Sequence, residues 1–277
     1  MRIRTQVAGV RLGTDINQVQ VPDRLRLRQD LGLPWLNEAL GGLGMTPSTV
    51  AMITGFPGCG KSTLLRQLAD SITAMGHRAL YNVGEESVYQ VKMRCEEMGL
   101  RSGFAVGQET SPRTLLDHMR SVQASDPLRQ AFLLQDSLQT LDDGHYANGT
   151  TGMTPVRCCE QLCDWAKETF GIAVFVGQVT KAGLFAGKNT IRHAVDVHLE
   201  LLPDTDPRSP TYKRTLLTVT KNRFGCSGRS YLVSMGVEGL RAQAVEAAEE
   251  LAEREHAEPG RPSRTQSGFQ RRPAAGR

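Results

Sequence analysis

Two hydrophobic rhythms alternate along the middle of the chain. "STVAMITG" (48–55) is a short apolar run that ends in glycine, and "KSTLLRQLADSITAMG" (61–76) then places Leu64, Leu65, Leu68, Ile72 and Met75 at helical spacing. "RALYNVG" (78–84) reads as a second strand, and a helix through Val91, Met93 and Met98 follows it. "TLLDHMRSV" is helical, "AFLLQDS" a strand, "CCEQLCDWAKETFG" helical and "IAVFVGQ" a strand again. Strands alternating with helices predict an α/β domain whose mainly parallel sheet is covered on both faces. After Val197 the helices stop, and "DVHLELLP", "RTLLTVTKNRFG" and "YLVSMG" read as consecutive strands. They predict an antiparallel extension of the parallel core.

The flanks differ from this core. Residues 1–30 are poorly patterned, and the folded unit is expected over 31–240. Residues 241–260 carry six glutamates against two arginines and read as an acidic Ala/Glu helix. Residues 261–277 hold five arginines and no acid among Pro, Ser and Gly, a composition expected to stay disordered as a basic tail. The 277 residues are 39% hydrophobic and 22% charged, ordinary for a globular protein. A net charge of +4 is a mild lean toward anionic partners. No apolar run approaches the roughly 18 residues of a membrane helix, so no membrane partner is expected. Cys59, Cys95, Cys158, Cys159, Cys163 and Cys226 form no C-x-x-C pair, which argues against a zinc site and for reduced thiols in the cytoplasm. Cys158 and Cys163 are expected in the core beside Leu162 and Trp165.

The junction of the first strand and helix carries the chemistry. "GFPGCGKST" comprises Gly55, Phe56, Pro57, Gly58, Cys59, Gly60, Lys61, Ser62 and Thr63, and fits G-x-x-x-x-G-K-[ST]. Its glycines allow backbone N–H groups to face phosphate oxygens at a helix N-terminus. Lys61 is expected to reach the β and γ phosphates, and the Ser62 hydroxyl to ligate Mg²⁺, with ATP as nucleotide. Cys59 is read as a small filler. Asp136, at the end of "AFLLQDS", is placed to hold Mg²⁺ at the carboxyl end of a second buried strand, although a turn-forming Asp is the plainer reading. Glu85 and Glu86 end another strand, and either is a candidate base for an attacking water. Gln178 ends a further strand as a neutral residue able to sense the γ-phosphate. Lys221 and Arg223, two apart after an apolar run, share one strand face and look toward something anionic. The plainer reading is an edge strand guarded by charge.

Together "GFPGCGKST", "LYNVGEES", "LLQDSLQTL", "VGQVTKAGLFAG" and "TVTKNRFG" resemble the RecA-type ATPase core, and in particular the bacterial RadA/Sms DNA-repair family, from about Leu31 to Gly236. "DLGLPWLNEALGGLGMTPSTV" also resembles that family's lead into its first strand. The resemblance implies a RecA-like fold and an ATP-driven, DNA-bound ring or filament acting in recombination and branch migration. It makes Glu85 the base and Gln178 a sensor linked to a DNA-contacting loop. It also makes Lys221 and Arg223 cations given across a subunit interface to the next protomer's ATP. Single-stranded or branched DNA is expected to meet two loops, one with Tyr146 and Arg157, the other with Lys181, Phe185, Lys188 and Arg192. Residues 1–30 hold no cysteine where the family has a four-cysteine zinc module. Only Val237–Arg277 follow where it has a Lon-like domain, and Gln178 replaces a histidine, so a core alone is expected. Two other classes remain: a hexameric replicative-type helicase core, and a regulatory ATP-dependent assembly module without a DNA substrate.

Overall fold

A computed structural model describes residues 10–147, 149–178 and 189–245. In chain order its elements are α1 (Asp23–Arg26), α2 (Pro34–Ala39), β1 (Val50–Gly55), α3 (Lys61–Ala74), β2 (Arg78–Val83), α4 (Val88–Glu97), β3 (Ala105–Gly107) and α5 (Pro112–Ser125). They continue with β4 (Ala131–Asp136), α6 (Thr154–Thr169), β5 (Ile172–Gln178), α7 (Asn189–Ala194), β6 (Val197–Pro203), β7 (Thr215–Asn222), β8 (Ser230–Gly236) and β9 (Gly239–Ala244). The nine strands form one sheet in the order β3-β2-β4-β5-β1-β6-β7-β8-β9. Pairings from β3 through β6 are parallel, and β7, β8 and β9 add antiparallel.

All six residues of β1 are buried because the sheet is covered on both faces. Pleating sends Ala51 and Ile53 into a cluster with Leu64, Leu65 and Leu68 of α3. Val50 and Met52 go to the opposite cluster, with Leu162, Trp165 and Ala166 of α6. Cys158 and Cys163 are in that second core, as the helical pattern around them predicts. Burying a side chain such as Met52 contributes about 1.5–3 kcal/mol. Ser87 caps α4 in a reciprocal box with Gln90, and Ser111 caps α5 ahead of Pro112.

Two expectations change. β3, three residues with no buried side chain, was not legible as a strand and forms one edge of the sheet. Residues 241–244, read as the opening of an acidic helix, instead continue β9, where Ala242 pairs with Val233. Residues 246–260 of that reading, and the tail 261–277, lie outside the described residues. The edge-strand reading of Lys221 stands in part, since β7 lies between β6 and β8 but its register with β8 ends at Thr218, short of Lys221.

Candidate nucleotide site

Strand register brings most of the candidate residues to one end of the sheet. Gly55 stands opposite Gln178, and Val83, just before Gly84 and Glu85, stands opposite Asp136. The carboxyl ends of β2, β4, β5 and β1 therefore present Glu85, Asp136, Gln178 and the P-loop side by side. α3 begins there on Gly60 with φ 98°, with no side chain capping its first turn. Its leading N–H groups therefore face outward, unlike those of α4 and α5. Gly58, also at positive φ, has open space where a side chain would stand. A Cβ on Gly55 would lie 2.3 Å from the Leu201 carbonyl, so the strand can turn here only as glycine.

Lys61 is buried inside this loop, with Nζ donating to the carbonyls of Gly55 and Phe56, each at 2.9 Å. The Cys59 sulfur lies 3.9 Å from Nζ, and burial pushes that thiol up, so it is protonated filler. A cleft of about 690 Å³ opens beside the loop, lined by Gly58, Lys61, Ser62, Arg66, Glu86 and Val237 among others. Glycine backbone, an outward helix N-terminus and clustered cations suit a nucleoside triphosphate with its divalent cation.

The carboxylates are sorted by their partners. Asp136, 6% exposed, accepts a 2.7 Å hydrogen bond from the Tyr81 phenol. Burial and the Asp136 charge push Tyr81 well above its ordinary range, so the phenol remains a donor. Glu86 pairs at 2.9 Å with Arg66, whose side chain is almost fully buried. Glu85 is exposed and accepts a 2.8 Å bond from the Ser137 hydroxyl, which follows Asp136 directly. Arg66 escaped the sequence reading because, one turn into α3, it looks like an ordinary helix-surface cation.

Lys221 and Arg223 lie at the other end. His198 stands opposite Lys221, whereas Gly55 stands opposite Leu201, a separation of about 10 Å along β6 alone. They do share a face, since both donate to the His193 carbonyl. Lys221 Nζ also donates to the carbonyls of Arg192 and Val195, closing the last turn of α7. Burial, then the Arg223 charge, pulls Lys221 below the usual lysine range. Arg223 donates at 3.2 Å to Asp196, a 2% exposed carboxylate that also holds Lys167 and the Val50 N–H.

The expected DNA contacts fare unevenly. Arg157 closes on Asp143 through Nε and Nη2, with the Tyr146 ring 5.2 Å from its guanidinium carbon. The guanidinium, in the first turn of α6, is thus paired with an aspartate of the loop before it. Arg192 is half-exposed and pairs with Glu200 at 3.3 Å. Lys181, Phe185 and Lys188 lie outside the described residues.

Known proteins resemble this chain in sequence and in fold. The DNA repair protein RadA of Halalkalibacterium halodurans is 33% identical over 238 residues, 85% of this chain and 49% of that protein. RadA of Brucella abortus is 35% identical over 83% of this chain and 48% of its own length. The chain carries a RadA-like core. It spans about half the length of these curated relatives. A solved structure of an ATPase domain superposes on the RadA-like core with a TM-score of 0.65 at 13% identity, covering 76% of this chain and 90% of that one. The shared fold is RecA-like. A model of the viral superfamily 1 RNA helicase core domain matches residues 51–147, from β1 through β4 and into the loop beyond.

Proposed function

We propose that the RadA-like core binds and hydrolyses Mg²⁺·ATP on DNA, in the service of recombination and repair. The observation that carries this reading is the convergence of the P-loop, Asp136 and Glu85 at one sheet end, with Lys221 and Arg223 at the other. Mg²⁺ supplies charge neutralisation to the phosphates when bound. The Ser62 hydroxyl and Asp136 would hold it, and Tyr81 fixes the rotamer of Asp136. Lys61 exchanges its two loop carbonyls for phosphate oxygens. Glu85, oriented by Ser137, takes the proton of the attacking water, while Glu86 stays engaged with Arg66.

Because the two cations sit far from their own P-loop, they serve the nucleotide of an adjacent protomer in a homo-oligomeric ring or filament. DNA, single-stranded or branched, contacts the segment after β5 through Lys181, Phe185, Lys188 and Arg192. Tyr146 adds a stacking surface from the loop after β4. The site is cytoplasmic in this reading, beside DNA.

The test is ATP turnover with Mg²⁺, with and without single-stranded DNA. Stimulation by DNA supports the reading, and Lys61→Ala and Asp136→Asn should each reduce turnover to background with the fold intact. Near wild-type hydrolysis by either variant refutes the site. Turnover indifferent to DNA transfers the chain to the regulatory assembly class. Unwinding of a forked duplex transfers it to the helicases.

A further inference from the structure

His198 lies where the sheet is otherwise dry. It is 2% exposed, on the face that Val50 and Met52 fill with apolar side chains. Its Nε2 is 2.8 Å from Oγ1 of Thr54 on β1, and its Nδ1 is 2.8 Å from Oγ1 of Thr220 on β7. Thr54 directly precedes Gly55, whose carbonyl holds Lys61. Thr220 directly precedes Lys221. The β6–β7 register slips between His198 and Leu199, so that Thr220 is an extra residue of β7 facing β6. This bulge lets Thr220 reach the ring while Lys221 reaches the end of α7 from the same face.

One tautomer satisfies both hydroxyls and the nearby carbonyl. In it the Thr220 hydroxyl donates to the His198 carbonyl at 3.3 Å and accepts from Nδ1–H. Glu200, with Oε1 3.6 Å from Nδ1, favours a proton there as well. Nε2 is then the acceptor for the Thr54 hydroxyl. Burial, with Arg192 and Lys221 nearby, holds the ring pKa down at about 3, so it stays neutral at physiological pH. A valine or leucine would fill this position with apolar contact alone. The histidine instead joins three strands by directional bonds.

We infer that His198 is a positioning residue that couples a protomer's nucleotide loop, through Thr54 and Thr220, to the cations it presents from the far end of the sheet. This rests on the reading that Lys221 and Arg223 act on the neighbour's nucleotide. Occupation of one pocket then alters the placement of cations at the next, and hydrolysis becomes cooperative in ATP.

The experiment measures turnover against ATP concentration for the full chain, His198→Leu, Thr220→Val and the double variant. Thr220→Val keeps the shape of the side chain and guards against a folding defect at His198. The wild type should be sigmoidal. Each single variant should fall to a Hill coefficient of about 1, with turnover at saturating ATP kept within about threefold, and the double variant should match the singles. A hyperbolic wild type, a Hill coefficient unchanged in either single variant, or additive losses in the double variant would each overturn the coupling. Mixing Lys61→Ala with Arg223→Ala separates the two levels. Activity restored on mixing, with cooperativity untouched by the His198 and Thr220 changes, sinks the coupling alone. An inactive wild type, or no restoration between subunits that exchange, sinks the underlying reading too.

Discussion

At the carboxyl ends of the parallel strands, polar groups gather around unpaired backbone. The first turn of α3 is uncapped, the glycines leave room, Glu85 is exposed, and Glu86 lines a cleft. At the amino ends, where the antiparallel extension begins, the same kinds of groups are closed on partners. Lys221 is held by three carbonyls, Arg223 and Lys167 share Asp196, and Arg28 donates to the Phe224 carbonyl. One end has an uncapped helix start, with its lysine resting on two loop carbonyls. The other has cations held in a fixed geometry, with Arg223 still half-exposed. Preorganised charge of this second kind stabilises developing negative charge at little reorganisation cost, provided that another molecule brings the anion.

The largest expected effect breaks this division at its cation end. Arg223→Ala should bind ATP normally and hydrolyse it about 10³–10⁵-fold more slowly, the range for arginines supplied in trans. Mixed with Lys61→Ala, it should recover activity that peaks near equal proportions and disappears on dilution. A dead mixture of exchanging subunits would return Arg223 to a purely structural place beside Asp196.

At the nucleotide end, Glu85→Gln should lower turnover by about 10²–10⁴-fold and trap bound ATP. Glu86→Gln should cost less than about tenfold, because the amide still accepts from Arg66. Single-turnover measurements decide between them, and the reverse ranking moves the base one residue along.

The smallest effect concerns the loops. Replacing Lys181, Lys188 and Arg192 with alanine should lower the salt slope of single-strand binding by about 0.7 for each phosphate left without its cation, with basal turnover kept. Arg157→Ala should leave that slope unchanged, since Asp143 already neutralises the guanidinium. A drop of about 0.7 in the Arg157 variant would show that it faces phosphate after all.

What could be read from the sequence followed local pattern. The P-loop, Asp136, and Glu85 with Glu86 are contiguous motifs at the ends of apolar runs, and parallel strands bring such ends together. The grouping of Lys221 with Arg223 was also legible, from spacing alone. What holds them was not: Asp196 is 27 residues from Arg223, and the Leu40 carbonyl that takes Asn222 is 182 residues away. Periodicity carries no record of such contacts. The pairing of Arg157 was not legible either, because its partner Asp143, 14 residues back in a polar loop, looks like any solvated aspartate. In β9, "GLRAQA" has the composition of a helix, and only pairing with β8 makes it a strand.

The β8–β9 hairpin has a consequence for synthesis of the chain. Gln67, in α3, exchanges hydrogen bonds with the backbone of Leu240 in both directions and donates to the Glu238 carbonyl. Met235 and Leu240 lie against Gly60 itself. A wall of the nucleotide cleft is thus made by residues translated more than 170 positions after the loop it supports. A nascent chain emerging from the ribosome has its P-loop early but cannot complete the cleft until β9 is free of the exit tunnel. Until then the first strand and helix remain an unfinished pocket, and nucleotide binding arrives as one of the last events of folding.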